Sequence, residues 1–96
     1  MCNTTSFVAE LVRAANEVHL LTLGERRRLI ERAAATIAAQ RKLLEVRRNV
    51  APLSRGMVAD LDTMMRDAPE GPDALVALTL LLCAEEIRRL RILAGE

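Results

Sequence analysis

The side chains able to do chemistry in this chain are few and scattered. His19 is the single histidine, Cys2 and Cys83 are the only thiols, and Ser6 and Ser54 are the only serines. A phosphoacceptor histidine on a helix is one reading of His19. The run that follows, Leu20-Leu21-Thr22-Leu23-Gly24, offers no lysine and brings its glycine late, so a histidine at a helix end is the better one. Structural zinc needs four nitrogen or sulfur ligands, and one histidine with two distant cysteines cannot supply them. Di-iron bundles need Glu-x-x-His pairs, and none exists. Glu85 and Glu86 are adjacent, so on a helix they diverge by about 100° and cannot share a reacting atom. They read instead as solvated partners of Arg88 and Arg89. Both serines stand at helix starts, where capping is the expected role, and no Gly-rich phosphate loop is present. The expectation is a protein that is not an enzyme, with no catalytic residue, no metal and no cofactor.

The elements that carry these residues are all helical. Leu, Ala and Arg dominate, with 16, 15 and 13 copies against four Gly and three Pro, and all three are good helix formers. Nowhere does an apolar residue alternate with a polar one over strand length. Ninety-six residues fit one domain, and a chain this short is marginally stable unless something further covers its apolar surface. The net charge of +1 argues against action by bulk electrostatics on nucleic acid or membrane. Two isolated cysteines fit a reducing compartment, with Cys83 as a small buried hydrophobe. Residues 74–84 form the longest apolar run, about half a bilayer span. No basic-then-apolar leader opens the sequence. A soluble, cytoplasmic protein with no membrane contact is expected.

Four helices are predicted, at about 7–21, 23–50, 55–68 and 73–94. Asn3-Thr4-Thr5-Ser6 is a cluster of capping residues ahead of Val8, Leu11, Val12, Ala15 and Val18. Thr22-Leu23-Gly24-Glu25 reads as a capping box, with Thr22 and Glu25 exchanging hydrogen bonds across a tight break. In the second helix Leu29, Ile30, Ala33, Ile37 and Leu44 share a face, with Leu43, Val46 and Val50 as a second stripe. The slim Ala33-Ala34-Ala35 and Ala38-Ala39 would admit a close neighbour. Pro52 stops this helix, and Ser54 caps the third. Pro69-Glu70-Gly71-Pro72 is a turn, Asp73 favours the positive end of the fourth helix, and Gly95 ends it. The segment 25–48 holds eight basic residues against three acidic, while 57–73 holds five acidic against one Arg66. These complementary stretches should lie near each other, within or between chains.

The fourth helix breaks the amphipathic pattern. From Leu75 to Ala84 apolar residues point in every direction, and a helix hydrophobic all round must be surrounded. Self-association into a homodimer is the expectation, through Leu75, Leu78, Leu80, Leu81, Leu82 and Ile87. After Glu85-Glu86 the helix turns amphipathic, with Ile87 and Leu90 inward. Met57, Leu61, Met64 and Met65 of the third helix are either core or an adaptable binding surface for a protein partner.

Arginines crowd the second helix, and Arg26, Arg27, Arg28, Arg32 and Lys42 are the candidates for nucleic-acid binding. They spread around the helix exterior and Glu31 and Glu45 lie three or four positions from several of them, which suggests internal pairing. A reading helix is short, and no aromatics interleave these residues for strand stacking.

The run Ile37-Ala38-Ala39-Gln40-Arg41-Lys42-Leu43-Leu44-Glu45, with an apolar end before Pro52, resembles the long first helix of TraM-type antiactivators. These are small bacterial cytoplasmic helical proteins that dimerise and sequester LuxR-type quorum-sensing regulators. The plan of two long helices and an apolar last one is similar, although this chain adds a helix at its N-terminus. The resemblance implies a functional class and transfers no binding residues. The sequence therefore points to an all-α bundle of about four helices, dimeric. Its expected role is regulatory or adaptor binding to a protein such as a transcription factor, and the alternative is a DNA-binding regulator using the second helix.

Overall fold

A computed structural model describes residues 3–46 and 55–93, with side chains described for residues 5–43 and 61–92. Four α-helices follow one another: α1 (Asn3–Asn16), α2 (Leu23–Val46), α3 (Arg55–Asp67) and α4 (Asp73–Leu93). Short 3-10 turns, Val18–Leu20 and Ala68–Glu70, lead into α2 and α4. No strand occurs among the described residues. The end of the second helix near Val50, the stop at Pro52, the Ser54 cap, Gly95 and Cys2 lie outside the described residues. So do the side chains of Leu44, Val46, Val50 and Met57.

Helix α1 begins at Asn3 rather than Phe7, because Asn3–Ser6 form its first turn instead of a cap in front of it. The Thr5 hydroxyl accepts a hydrogen bond from Arg91 near the far end of α4, which sets α1 and α4 antiparallel. The helix also stops five residues earlier than the periodicity suggests. Glu17 leaves the α region at φ −118° and ψ 30°. The amides of Leu20 and Leu21 then donate to the carbonyls of Glu17 and Val18, at 2.9 and 3.1 Å. The tightened turn carries the chain over into α2, and His19 is exposed on it.

The capping box at the start of α2 forms as the sequence predicts. The Thr22 amide donates to Glu25 Oε1 at 2.8 Å, and the Glu25 amide donates to Thr22 Oγ1 at 3.1 Å. Two amides that the helix cannot satisfy internally are thereby paired. Ahead of α4, Gly71 runs extended and its amide donates to Ala68 O at 2.8 Å. A Cβ at Gly71 would sit 3.0 Å from Leu75 Cδ2, so a larger residue here would press on the Leu75 side chain. The Pro72 carbonyl then accepts from the Leu75 and Val76 amides and opens α4.

The core is a single apolar cluster with α4 at its centre, packed against α1, α2 and α3. Phe7, Leu11, Ala14 and Ala15 come from α1, and Leu29, Ile30, Ala33 and Ile37 from α2. Leu61 and Met65 come from α3, and Val76, Leu80, Cys83, Ala84, Ile87 and Leu90 from α4. Side chains of this size stabilise a fold by roughly 1.5–3 kcal/mol each when fully buried. Of the alanine series on α2, Ala33 is buried and Ala34 half-buried, while Ala35, Ala38 and Ala39 face solvent. The close-approach surface expected there is thus confined to the first two. The molecule measures 39 × 32 × 17 Å along its principal axes. Packed helix axes lie about 8–10 Å apart, so the thin dimension holds two layers and leaves an outer side of α4 without a third.

Candidate interaction surface

Three of the four sides of α4 are used inside the chain. Val76, Leu80, Cys83, Ile87 and Leu90 recur every three or four positions and form the innermost stripe. Thr79 is buried too, its hydroxyl donating to the Leu75 carbonyl at 2.8 Å, which spares a polar group an unpaired burial. The remaining side carries Leu78, Leu81 and Leu82, which are 50%, 39% and 37% exposed. One step along the same side come Glu85 and Arg88, joined at 3.0 Å, and then Ile92, which is also exposed.

This geometry corrects the self-association face read from the sequence. Leu80 and Ile87 have no accessible surface and belong to the chain's own core, while Leu75 is half-buried against it. A helix apolar all round does not need a second molecule on every side when three neighbouring helices cover most of it. What remains open is the narrower Leu78–Leu81–Leu82 triplet. In the third helix Leu61 and Met65 are buried in the core, while Met64 is half-buried. Leu20, Leu23 and Ile92 are exposed apolar side chains that periodicity did not single out, and Val12, which it did, is exposed as well. Val12 lies within the apolar spacing of α1, yet at the margin of its buried face.

Arg26, Arg27 and Arg41 of α2 are held by the acidic stretch that follows, within one chain. Arg26 Nη2 lies 2.9 Å from Asp73 and donates to the Val18 carbonyl at 3.0 Å. Arg27 pairs with Glu70 at 2.8 Å, and Arg41 lies 3.5 Å from Asp62. Arg32 pairs with Glu10 at 3.3 Å and stacks over the Phe7 ring at 4.4 Å. Three of the five nucleic-acid candidates therefore brace α2 against α1 and the start of α4. Arg28 and Lys42 are exposed, and Arg28 attracts the Glu25 carboxylate on the same helix.

A polar node that the sequence did not reveal lies where α2 meets α4. Glu86 is buried, not solvated as its neighbour Glu85 is. Arg89 grips it with two bonds of 3.0 Å, Nε to Oε1 and Nη2 to Oε2. Arg41 Nη2 approaches the same carboxylate at 3.6 Å, and Gln40 Nε2 donates to the Ile87 carbonyl at 3.4 Å. The Glu86–Arg89 spacing was visible, but the spacing is shared by Glu85–Arg88 and does not say which pair faces inward. Cys83 lies one turn before Glu86. Burial, helped by that carboxylate, pushes its thiol up to about 12, which leaves it protonated and unreactive.

Among the described residues no group of three or more His, Cys, Asp or Glu could hold a metal ion, and no helix is long and apolar enough to cross a membrane. No family model, curated protein or solved structure matches the chain.

Proposed function

We propose that this chain is a non-enzymatic regulatory or adaptor protein of the cytoplasm that acts by helix-mediated binding and pairs with itself as a homodimer. The observation that carries the reading is the leucine triplet Leu78, Leu81 and Leu82 left open on the central helix. Leucines aligned on a rigid helix within a packed fold suit the groove or helix of another protein. Among the described residues, Cys83 is buried with its thiol protonated and Glu86 is paired with Arg89.

In its more specific form the partner is a transcriptional regulator that the chain sequesters, as an antiactivator does. That form rests on the resemblance over residues 37–45. In this fold Ile37 is core and Gln40 and Arg41 tie α2 to α4, so these three residues of the segment act as scaffold. Binding to duplex DNA is disfavoured by the placement of Arg26, whose largely buried side chain is held by Asp73 and the Val18 carbonyl.

Affinity capture from native extract, run in parallel with wild type and Leu81→Glu, tests the reading. A specific protein captured by wild type and lost with the variant is the expected result. Capture unchanged by the variant, or salt-sensitive binding to generic duplex DNA, would overturn it.

A further inference from the structure

The four helices are not held equally. Helix α4 runs close against α1 and α2, whereas α3 approaches α2 and α4 over a much shorter stretch. The described α3 side chains that reach the core are Leu61 and Met65, at 8% and 9% exposure, while Val76, Leu80, Ile87 and Leu90 of α4 have none. Sparse backbone approach and shallower burial mark a segment that opens at lower cost than the whole fold.

One guanidinium stands where the three helices meet. Arg41 of α2 lies 3.5 Å from Asp62 of α3 through Nη1 and 3.6 Å from Glu86 of α4 through Nη2. The α4 side of this contact is doubly secured, because Arg89 grips Glu86 as well. The α3 side is not buried: Asp62 keeps 54% of its side-chain surface and passes into water at little cost. The other described charges near it, Arg66 and Asp67, turn to each other on their own helix, and Arg66 also donates to Thr63.

We propose that α3 is a strap latched by Arg41, and that it lifts as a unit while α1, α2 and α4 stay packed. Lifting breaks Arg41–Asp62 and withdraws Leu61 and Met65 from the core. It leaves Arg41 beside Glu86, and it leaves the pairing of α4 with α1 untouched. The bond that breaks joins partly solvated charges, so added salt loosens the strap. The chain thereby has a second state, reached without global unfolding and independent of its concentration.

Native-state hydrogen exchange on the full chain, followed by NMR, tests the strap. Amides of residues 59–67, past the unbonded first turn of α3, should be protected, yet at least about tenfold less than those of residues 77–90 in α4. Asp62→Asn keeps the shape of the side chain, and it should speed exchange in α3 about threefold while leaving α4 unchanged. Asp67→Asn removes a carboxylate that pairs inside α3 and should not speed exchange there. Equal protection of α3 and α4 would overturn the strap, and so would α3 amides with no protection at all. An Asp62→Asn chain whose α3 exchanges no faster than that of Asp67→Asn would overturn the latch.

Discussion

Leu80 and Leu81 are consecutive on α4 and sit in opposite environments: Leu80 has no accessible surface, and Leu81 keeps 39% of its own. A 100° step around the helix carries the chain from core to open face. The same substitution at the two positions should therefore have opposite outcomes. Leu80→Ala should cost about 2–5 kcal/mol, the usual range for a buried leucine, and Leu80→Glu should abolish folding. Leu81→Glu removes a side chain that keeps 39% of its surface, and it should cost less than Leu80→Ala and leave the chain folded. Urea denaturation followed by circular dichroism measures both. Equal losses at 80 and 81 would contradict the placement of α4.

At the α1–α2 junction, hydrogen bonds from Thr22 hold the Glu25 carboxyl below the ordinary carboxylate range, backbone amide first and hydroxyl second, with Arg28 adding attraction. A carboxyl depressed in the folded state contributes stability above its unfolded pKa and loses it as pH falls through the folded value. Thr22→Ala removes the hydroxyl and should destabilise by about 1 kcal/mol at neutral pH. The Glu25 carboxyl should then titrate at a higher pH, read from its side-chain carbon shift by NMR. An unmoved titration would mean that the capping box does not persist in solution.

The buried thiol of Cys83 should resist alkylation. Its pKa is raised in the folded state to about 12 by burial, so the stabilisation is complete below the ordinary thiol value and is lost as pH rises toward the folded one. With Cys2→Ser as background, iodoacetamide at pH 8 should leave Cys83 unmodified until urea unfolds the chain. Stability should also decline more between pH 8 and pH 10 than in a Cys83→Val variant. Rapid labelling of the native protein would place Cys83 at the surface.

Two ion pairs with identical spacing on α4 should differ in strength. Glu85–Arg88 is exposed at both ends, whereas Glu86 is buried and also approached by Arg41. A double-mutant cycle should give a coupling below about 0.5 kcal/mol for Glu85–Arg88. Glu86–Arg89 should couple by about 1–2 kcal/mol, because truncating Glu86 strands partly buried guanidinium groups. Equal couplings would remove the case for a structural node between α2 and α4.

Much of this architecture was legible before any coordinates. The Thr22–Glu25 break is written in four residues because a capping box is a local exchange of two hydrogen bonds. Leu29, Ile30, Ala33 and Ile37 announce one face of α2 because helical periodicity is local too. The attraction between the arginines of α2 and the acids of residues 57–73 was visible as a charge imbalance, and the fold realises it in Arg26–Asp73, Arg27–Glu70 and Arg41–Asp62. Helix α1 was misjudged at both ends. Thr5 sits inside the first turn, and its hydroxyl is met by Arg91 from the far end of α4, a contact that no local pattern shows.

The open face is where sequence alone ran out. Composition shows that residues 75–84 are apolar in every direction, and it demands that they be covered. It cannot apportion the covering, since every direction around the helix looks alike. Three neighbouring helices, fixed only by the tertiary packing, took Leu80 and Ile87 into the core and left Leu78, Leu81 and Leu82 outside. The same packing drew Glu86 inward and left Glu85 in water. Helical periodicity determines which residues share a side of α4, and only the arrangement of α1, α2 and α3 determines which side is inside.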